Sequence, residues 1–272
     1  MKKLEWFVAC AFFLTAALLS SAATRTAPAA NGGNSAFSGT WKIDAAQSKL
    51  SPQPLAFYIS QGWYHCTSCT PALDVKADGA DQAVTGEPYD TLNVKVVNDH
   101  TVQQVGKKDG KVIFEETETV SDGGKLLTLK LTSHPEDGGA PVTTEATARR
   151  VGAAPMGVQP TSGNWQLQKF DQSSNGLTFT YKVNGDQVTM TDPTGETYTA
   201  NLDGAAAPVK GAYGFDTVSL KKVGPDTIEE TDKFDGKVVD VSKMTVHGKT
   251  MTIEDTSKPS DRTSTFEAHK VG

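Results

Sequence analysis

This chain of 272 residues is short of most features that announce a function. No stretch clusters five or more basic residues, and the net charge is −6. A nucleic acid or an anionic membrane needs a basic face to grip, so neither is expected as a partner. After residue 23 no stretch approaches the roughly 20 apolar residues of a spanning helix, so no membrane insertion is expected once the N-terminal segment is removed. GxSxG, HExxH, the Walker loop and GxGxxG are all missing. No catalytic residue, cofactor or metal is assigned. Glu115-Glu116 and Glu229-Glu230 are adjacent carboxylates, but neighbours on a strand point to opposite faces and cannot act together on one substrate. Hydrophobic content is 37 %. Thr, Val, Gly and Asp are frequent, a composition poor for helices and suited to short strands and turns.

What is present begins with an export signal. Lys2 and Lys3, an apolar run from Trp6 to Leu19, and Ser20-Ser21-Ala22-Ala23 read as a Sec-type signal peptide over 1–23. The mature chain is then expected in the periplasm or outside a bacterial cell. A lipid-anchor reading of Cys10 would need a longer apolar stretch before it. Cleavage removes two lysines and one glutamate from residues 1–22, taking the charge from −6 to −7. Residues 24–37 are small and polar and read as a flexible leader.

The rest of the chain is written twice. DTLNVKVVNDHTVQQVGKKDGKV, from Asp90, matches DTVSLKKVGPDTIEETDKFDGKV, from Asp216, at ten of 23 positions. Gly39-Thr40-Trp41 answers Gly163-Asn164-Trp165. Two similar domains follow, over 38–151 and 163–272, with 152–162 as the linker. In the second copy Phe179, Tyr181 and Val183 alternate with polar residues before the Asn184-Gly185 turn, as in a half-buried strand and hairpin. Val188, Met190, Tyr198 and Ala200 continue the alternation. Eight or nine short strands in about 110 residues predict an all-β chain of two tandem antiparallel up-and-down β-barrels. Ile228, Glu230 and Asp232 share one strand face, which predicts an interior that is not fully dry.

Gly39-x-Trp41 and Gly163-x-Trp165, each opening the first strand of a meander, resemble the Gly-x-Trp signature of lipocalins. The resemblance implies a tryptophan closing each barrel floor, with an Arg or Lys from the last strand packed over it. Arg149 or Arg150 in the first copy, and Lys270 in the second, occupy that place. The pattern from SGTWKID through KKDGKV is also similar to secreted bacterial proteins that carry no assigned activity.

The copies differ around Cys66-Thr67-Ser68-Cys69, the only cysteines left after signal removal. At an offset of 125 this stretch aligns with the turn Thr191–Thr194. In an extended strand the two Cα atoms would lie about 10 Å apart, too far for a disulfide, whereas a turn lets them bridge. A structural disulfide is the leading reading in an oxidising compartment. A thiol-disulfide exchange motif and a metal site with His65 are the others. The same offset sets Trp63 and His65 opposite the apolar Val188 and Met190. They then face the first barrel's interior, either lining a pocket or as ordinary core.

The leading expectation is an exported, non-enzymatic binding protein for a small, partly apolar ligand. Phe57, Trp63 and His65 would line the first barrel, and Phe179, Tyr181, Met190 and Tyr198 the second. A cell-envelope protein with filled barrels and an unknown protein partner is the alternative, and a redox protein using Cys66 and Cys69 the third.

Overall fold

Period-two alternation broken by tight turns gives strands almost throughout. A computed structural model describes residues 34–271, and among them are twenty strands and three short helical turns. The expected signal segment 1–23, and the leader up to residue 33, lie outside the described residues. The strands form two ten-stranded antiparallel sheets, each barrel-like, as the sequence predicts.

Each barrel borrows its first strand from the other repeat. In barrel two, β12 (Thr178–Asn184), β13 (Gln187–Thr191), β14 (Thr197–Asn201), β15 (Asp203–Lys210), β16 (Thr217–Gly224), β17 (Thr227–Phe234), β18 (Lys237–His247), β19 (Thr250–Ser257) and β20 (Arg262–Val271) run as a meander. The ring is closed by β1 (Gly39–Lys49), which pairs Trp41 with Phe179 on one side and Ile43 with Ala268 on the other. Barrel one is built from β2 (Leu55–Ser60), β3 (Trp63–Cys66), β4 (Leu73–Lys76), β5 (Asp78–Ala83), β6 (Thr91–Asn98), β7 (Thr101–Lys108), β8 (Lys111–Ser121), β9 (Leu126–Ser133) and β10 (Val142–Val151). Here β11 (Gly163–Gln172) inserts between β10 and β2, pairing Trp165 with Arg150 and with Leu55. The segments 38–151 and 163–272 therefore mark the repeats of the sequence, while the barrels exchange one equivalent strand.

The connection after β1 accounts for the exchange. Leu50–Pro54 carries two prolines, which favour extended backbone over a reversal. It is also tied to barrel two: Ser51 N donates to Ser264 Oγ (2.9 Å), and Arg262 Nη2 donates to Pro54 O (2.8 Å). The chain crosses to barrel one only after these bonds are made. The last seam of barrel one, between β4 and β5, has no backbone ladder. The Gln82 amide spans it instead, accepting from Lys76 N (2.9 Å) and donating to Lys76 O (2.8 Å).

Each floor is closed by a tryptophan under a cation, with partners from opposite repeats. Trp41 and Trp165 are fully buried. Each indole N–H donates to a carbonyl four residues back, Phe37 O and Thr161 O, both at 2.8 Å. Lys270 Nζ lies 4.8 Å from the Trp41 ring centroid, and the Arg150 guanidinium carbon 4.0 Å from that of Trp165. The glycine of each motif has φ near +135° (134° and 138°), a backbone that L side chains rarely adopt, and an added Cβ would meet the covering cation. Arg150, not Arg149, is the covering arginine.

The segments expected to be loose are partly built in. Asn34–Phe37 is a 3₁₀ turn whose Phe37 is buried. Thr161 and Ser162 at the end of the linker are buried too, and Ser162 Oγ accepts from Ile59 N (2.8 Å). The repeated DT…DG signature also has a structural cause. Asp90 Oδ2 accepts from Asp109 N, and Asp216 Oδ2 from Asp235 N, both at 2.8 Å, so each aspartate holds the hairpin turn that follows.

Candidate functional site

Inward-facing positions fall into rows across β7–β10 in barrel one and across the equivalent β17–β20 in barrel two. Next to the floor the rows are apolar: Ile228, Met244, Ile253 and Phe266 lie side by side in barrel two. The next row is Glu230, Ser242, Asp255 and Ser264, and the last Asp232, Asp240, Ser257 and Arg262. All eight of these polar residues are buried, so this lumen carries two polar rows on one side and is not fully dry, as the pattern of Ile228, Glu230 and Asp232 predicts.

Barrel two holds a cavity of about 40 Å³, measured as space open to the centre of a water molecule. That is room for about three waters. Phe179, Tyr181, Met190 and Tyr198, the four positions singled out by alternation, all line it, with Met244, Ile253 and Phe266. Its polar end is Glu230 and Asp255. The Tyr198 hydroxyl donates to Glu230 Oε2 at 2.6 Å, and that of Tyr181 lies 3.4 Å from the same oxygen. Burial, and then the nearby Glu230 charge, push the Tyr198 hydroxyl well above the usual phenol range, so it stays a donor. Ser242 donates to Asp255. Asp192 and Glu196, both half-buried, complete the wall.

Barrel one holds a second cavity of about 40 Å³ by the same measure. Phe57 lines it with Tyr64, Tyr89, Phe114, Gln104, Glu116 and Glu118. Cys66 and Cys69 border it as a disulfide across a turn, Cα–Cα 5.3 Å. Gln104 Nε2 donates to Glu118 Oε1 (2.8 Å) and lies 3.3 Å from the Tyr64 hydroxyl.

Trp63 and His65 do not face this lumen, which corrects the expectation. Trp63 is 41 % exposed on the outer wall, with Lys76 Nζ 6.0 Å from its ring centroid. His65 Nδ1 meets Asp74 Oδ1 at 2.5 Å, also outside. Tyr64 and Cys66 are the buried residues of β3, pairing with Val75 and Leu73. Phe57 pairs with Cys66 as Tyr181 pairs with Met190, so the copies align here at an offset of 124, and the one-residue difference from 125 turns the strand over.

Glu116 and Glu118 were not singled out by the sequence reading, which weighed adjacent carboxylates only. Two glutamates two apart in a strand share a face, and here that face is the lumen. Among the described residues no group of three or more His, Cys, Asp or Glu side chains is placed to hold a metal ion. A larger cavity, about 530 Å³, lies outside the lumens, between the linker residues Ala154, Pro155, Val158 and Pro160 and the Arg150 end of barrel one. Searches of protein families, of curated proteins and of solved structures each returned no match.

Proposed function

We propose that the chain is an exported, non-enzymatic binding protein of lipocalin-like build, and that its ligand is a compact, partly apolar molecule held in barrel two. One observation carries this reading. The four alternating residues Phe179, Tyr181, Met190 and Tyr198 converge on one cavity whose polar groups include Glu230, fixed by a tyrosine hydroxyl, and Asp255. Apolar walls with a few placed polar groups are how small-molecule sites orient a ligand. The volume limits the ligand to a few non-hydrogen atoms, or to somewhat more if Met190 and Met244, both flexible thioethers, give way.

The test is a titration of the mature chain with small aliphatic alcohols and amines, followed by the NMR shifts of the cavity residues. Saturable binding that Tyr198→Phe or Glu230→Gln weakens, and that Trp63→Ala leaves alone, supports the reading. No saturable signal with any of them overturns it.

A second reading rests on the size of both lumens. Each holds about 40 Å³, far below the roughly 300 Å³ of ordinary ligand pockets, so the barrels are close to filled. Filled barrels suit an interaction protein of the cell envelope that works through its outer surface.

A further inference from the structure

Among the described residues, the barrel-one cavity is lined by two carboxyl groups, Glu116 and Glu118, and by no basic side chain. Glu116 and Glu118 lie on β8 about 7 Å apart at Cα, on one face. Their rows, across β7, β8, β9 and β10, are Val102, Glu118, Leu129 and Ala146, then Gln104, Glu116, Leu131 and Thr144. The next row is Gly106, Phe114, Ser133 and Val142. From β2, β3 and β4 the inward residues are Leu55, Phe57, Ile59, Tyr64, Cys66, Leu73 and Val75. Tyr64 and Tyr89 are the other titratable groups bordering the void. Barrel two places Arg262 among its acids; the equivalent position in barrel one is Val142.

Glu118 is 2 % exposed. Its Oε1 is held by Gln104, its Oε2 is buried and has no hydrogen-bond partner, and the residue lines the void. A buried carboxylate oxygen without a donor is costly. The pair therefore needs a proton or a cation, and the void beside it has room for a small one.

We infer that the barrel-one lumen is a binding site for a small organic ammonium ion, which enters in exchange for the proton shared by Glu116 and Glu118. The chemistry favours ammonium over a metal ion. Metal cations of the hard class want six or more oxygens converging on them, and among the described residues no group of three or more His, Cys, Asp or Glu side chains is placed to hold one. An ammonium needs a few acceptors for its N–H groups, and the faces of Phe57, Tyr64 and Phe114 suit its charge. The exchange balances: the acid proton leaves to solvent and the cation's single charge takes its place, so the net charge of the pair with its occupant is unchanged. Burial raises both carboxyls, Glu116 to about 7 and Glu118 further, with the Glu116 charge adding to the rise at Glu118. The site consequently empties as the pH falls below neutrality. This site is independent of the barrel-two ligand.

Carboxyl-carbon NMR of the mature full chain tests it, following both glutamates through a pH titration in 100 mM methylammonium, potassium or choline chloride. Choline exceeds the void and serves as the reference. Methylammonium alone should lower the apparent midpoint of the pair, by about one unit if it is present at about ten times its dissociation constant. Glu118→Gln, close in shape, should abolish that shift at Glu116, whereas in Glu116→Gln methylammonium should still shift the midpoint of Glu118, which burial alone holds up. Equal midpoints in all three salts overturn the proposal. So does an equal shift in potassium, which would make the site one for alkali ions, and so does a methylammonium shift that persists in Glu118→Gln.

Discussion

If the first strands are exchanged, a truncation in β11 must loosen barrel one, although β11 belongs to the second repeat. Trp165→Ala is the sharpest perturbation. The indole is fully buried, its N–H is bonded to Thr161 O, and the Arg150 guanidinium lies over its face at 4.0 Å. Deleting such a side chain costs about 3–5 kcal/mol, the lost cation–π contact included. Arg150 itself keeps its bonds to the carbonyls of Gly124, Pro160 and Ser162, so no buried cation is stranded. The assay is native-state hydrogen exchange read by peptide. At about 1.4 kcal/mol per factor of ten, the slowest amides of 55–151 should exchange about 100-fold faster or more, while those of 178–271 keep their rates. Trp41→Ala should give the mirror image, loosening 178–271 from a position in the first repeat. Faster exchange within 178–271 on loss of Trp165, with 55–151 unchanged, would refute the exchanged topology.

Two further outcomes follow from the lumen of barrel one. Replacing both cysteines of the four-residue Cys66–Cys69 loop by serine should lower stability by about 2 kcal/mol, the chain-entropy value for so short a loop, read as the urea midpoint at unchanged slope. Stability should also fall as pH rises from 5 to 8. Glu116 in the folded chain holds its proton to about pH 7, against a usual value of 4.5, so between those values the unfolded chain has released a proton that the folded chain retains. The loss is about 3 kcal/mol, complete above neutrality and absent below pH 4.5. Asp81 and Asp90, both held below their usual range, titrate under this window. The difference between parent and Glu116→Gln in urea unfolding isolates the effect, and equal pH profiles for the two would contradict it.

The repeat, the strands, the turns and the Gly-x-Trp floors were legible because each is local or periodic. The exchange of first strands was not, because Trp41 and Trp165 are equivalent and either could lie under Lys270 or Arg150. Only the connections decide, and the effect of Pro52 and Pro54 shows once Ser51 is seen bonded to Ser264. Trp63 and His65 were placed inside because an offset of 125 set them opposite the apolar Val188 and Met190; the four residues of WYHC cannot fix their own phase when the copies differ in length by one. Pairing of Tyr64 with Val75 settles it. In barrel two the longer alternation of Phe179, Tyr181 and Val183 fixed the phase unaided. Glu116 and Glu118 were readable in principle, since a period of two joins them to Phe114 and Val120. How nearly the lumens are filled is a matter of side-chain packing, which no periodicity reports.

The outermost lumen row shows where the two barrels have parted. Barrel one fills it with Gly106, Phe114, Ser133 and Val142, and a Cβ added at Gly106 would strike the Phe114 ring. Barrel two sets Asp232, Asp240, Ser257 and Arg262 at the same four places. Both rows close a barrel of the same build, so the charges are not required by the fold. A buried charged row is commonly no more stable than an apolar row of similar volume, yet breaking it by removing one member costs about 3–5 kcal/mol. Arg262→Val alone should therefore destabilise barrel two by that amount. The triple change Asp232→Gly, Asp240→Phe and Arg262→Val rebuilds the barrel-one row and should recover most of the loss in urea unfolding at pH 7. A triple variant as unstable as the single one would mean that the row is structural and that the two barrels are not interchangeable there. Recovery would mean that barrel two keeps its charges for something other than stability, beside the cavity lined by Glu230 and Asp255.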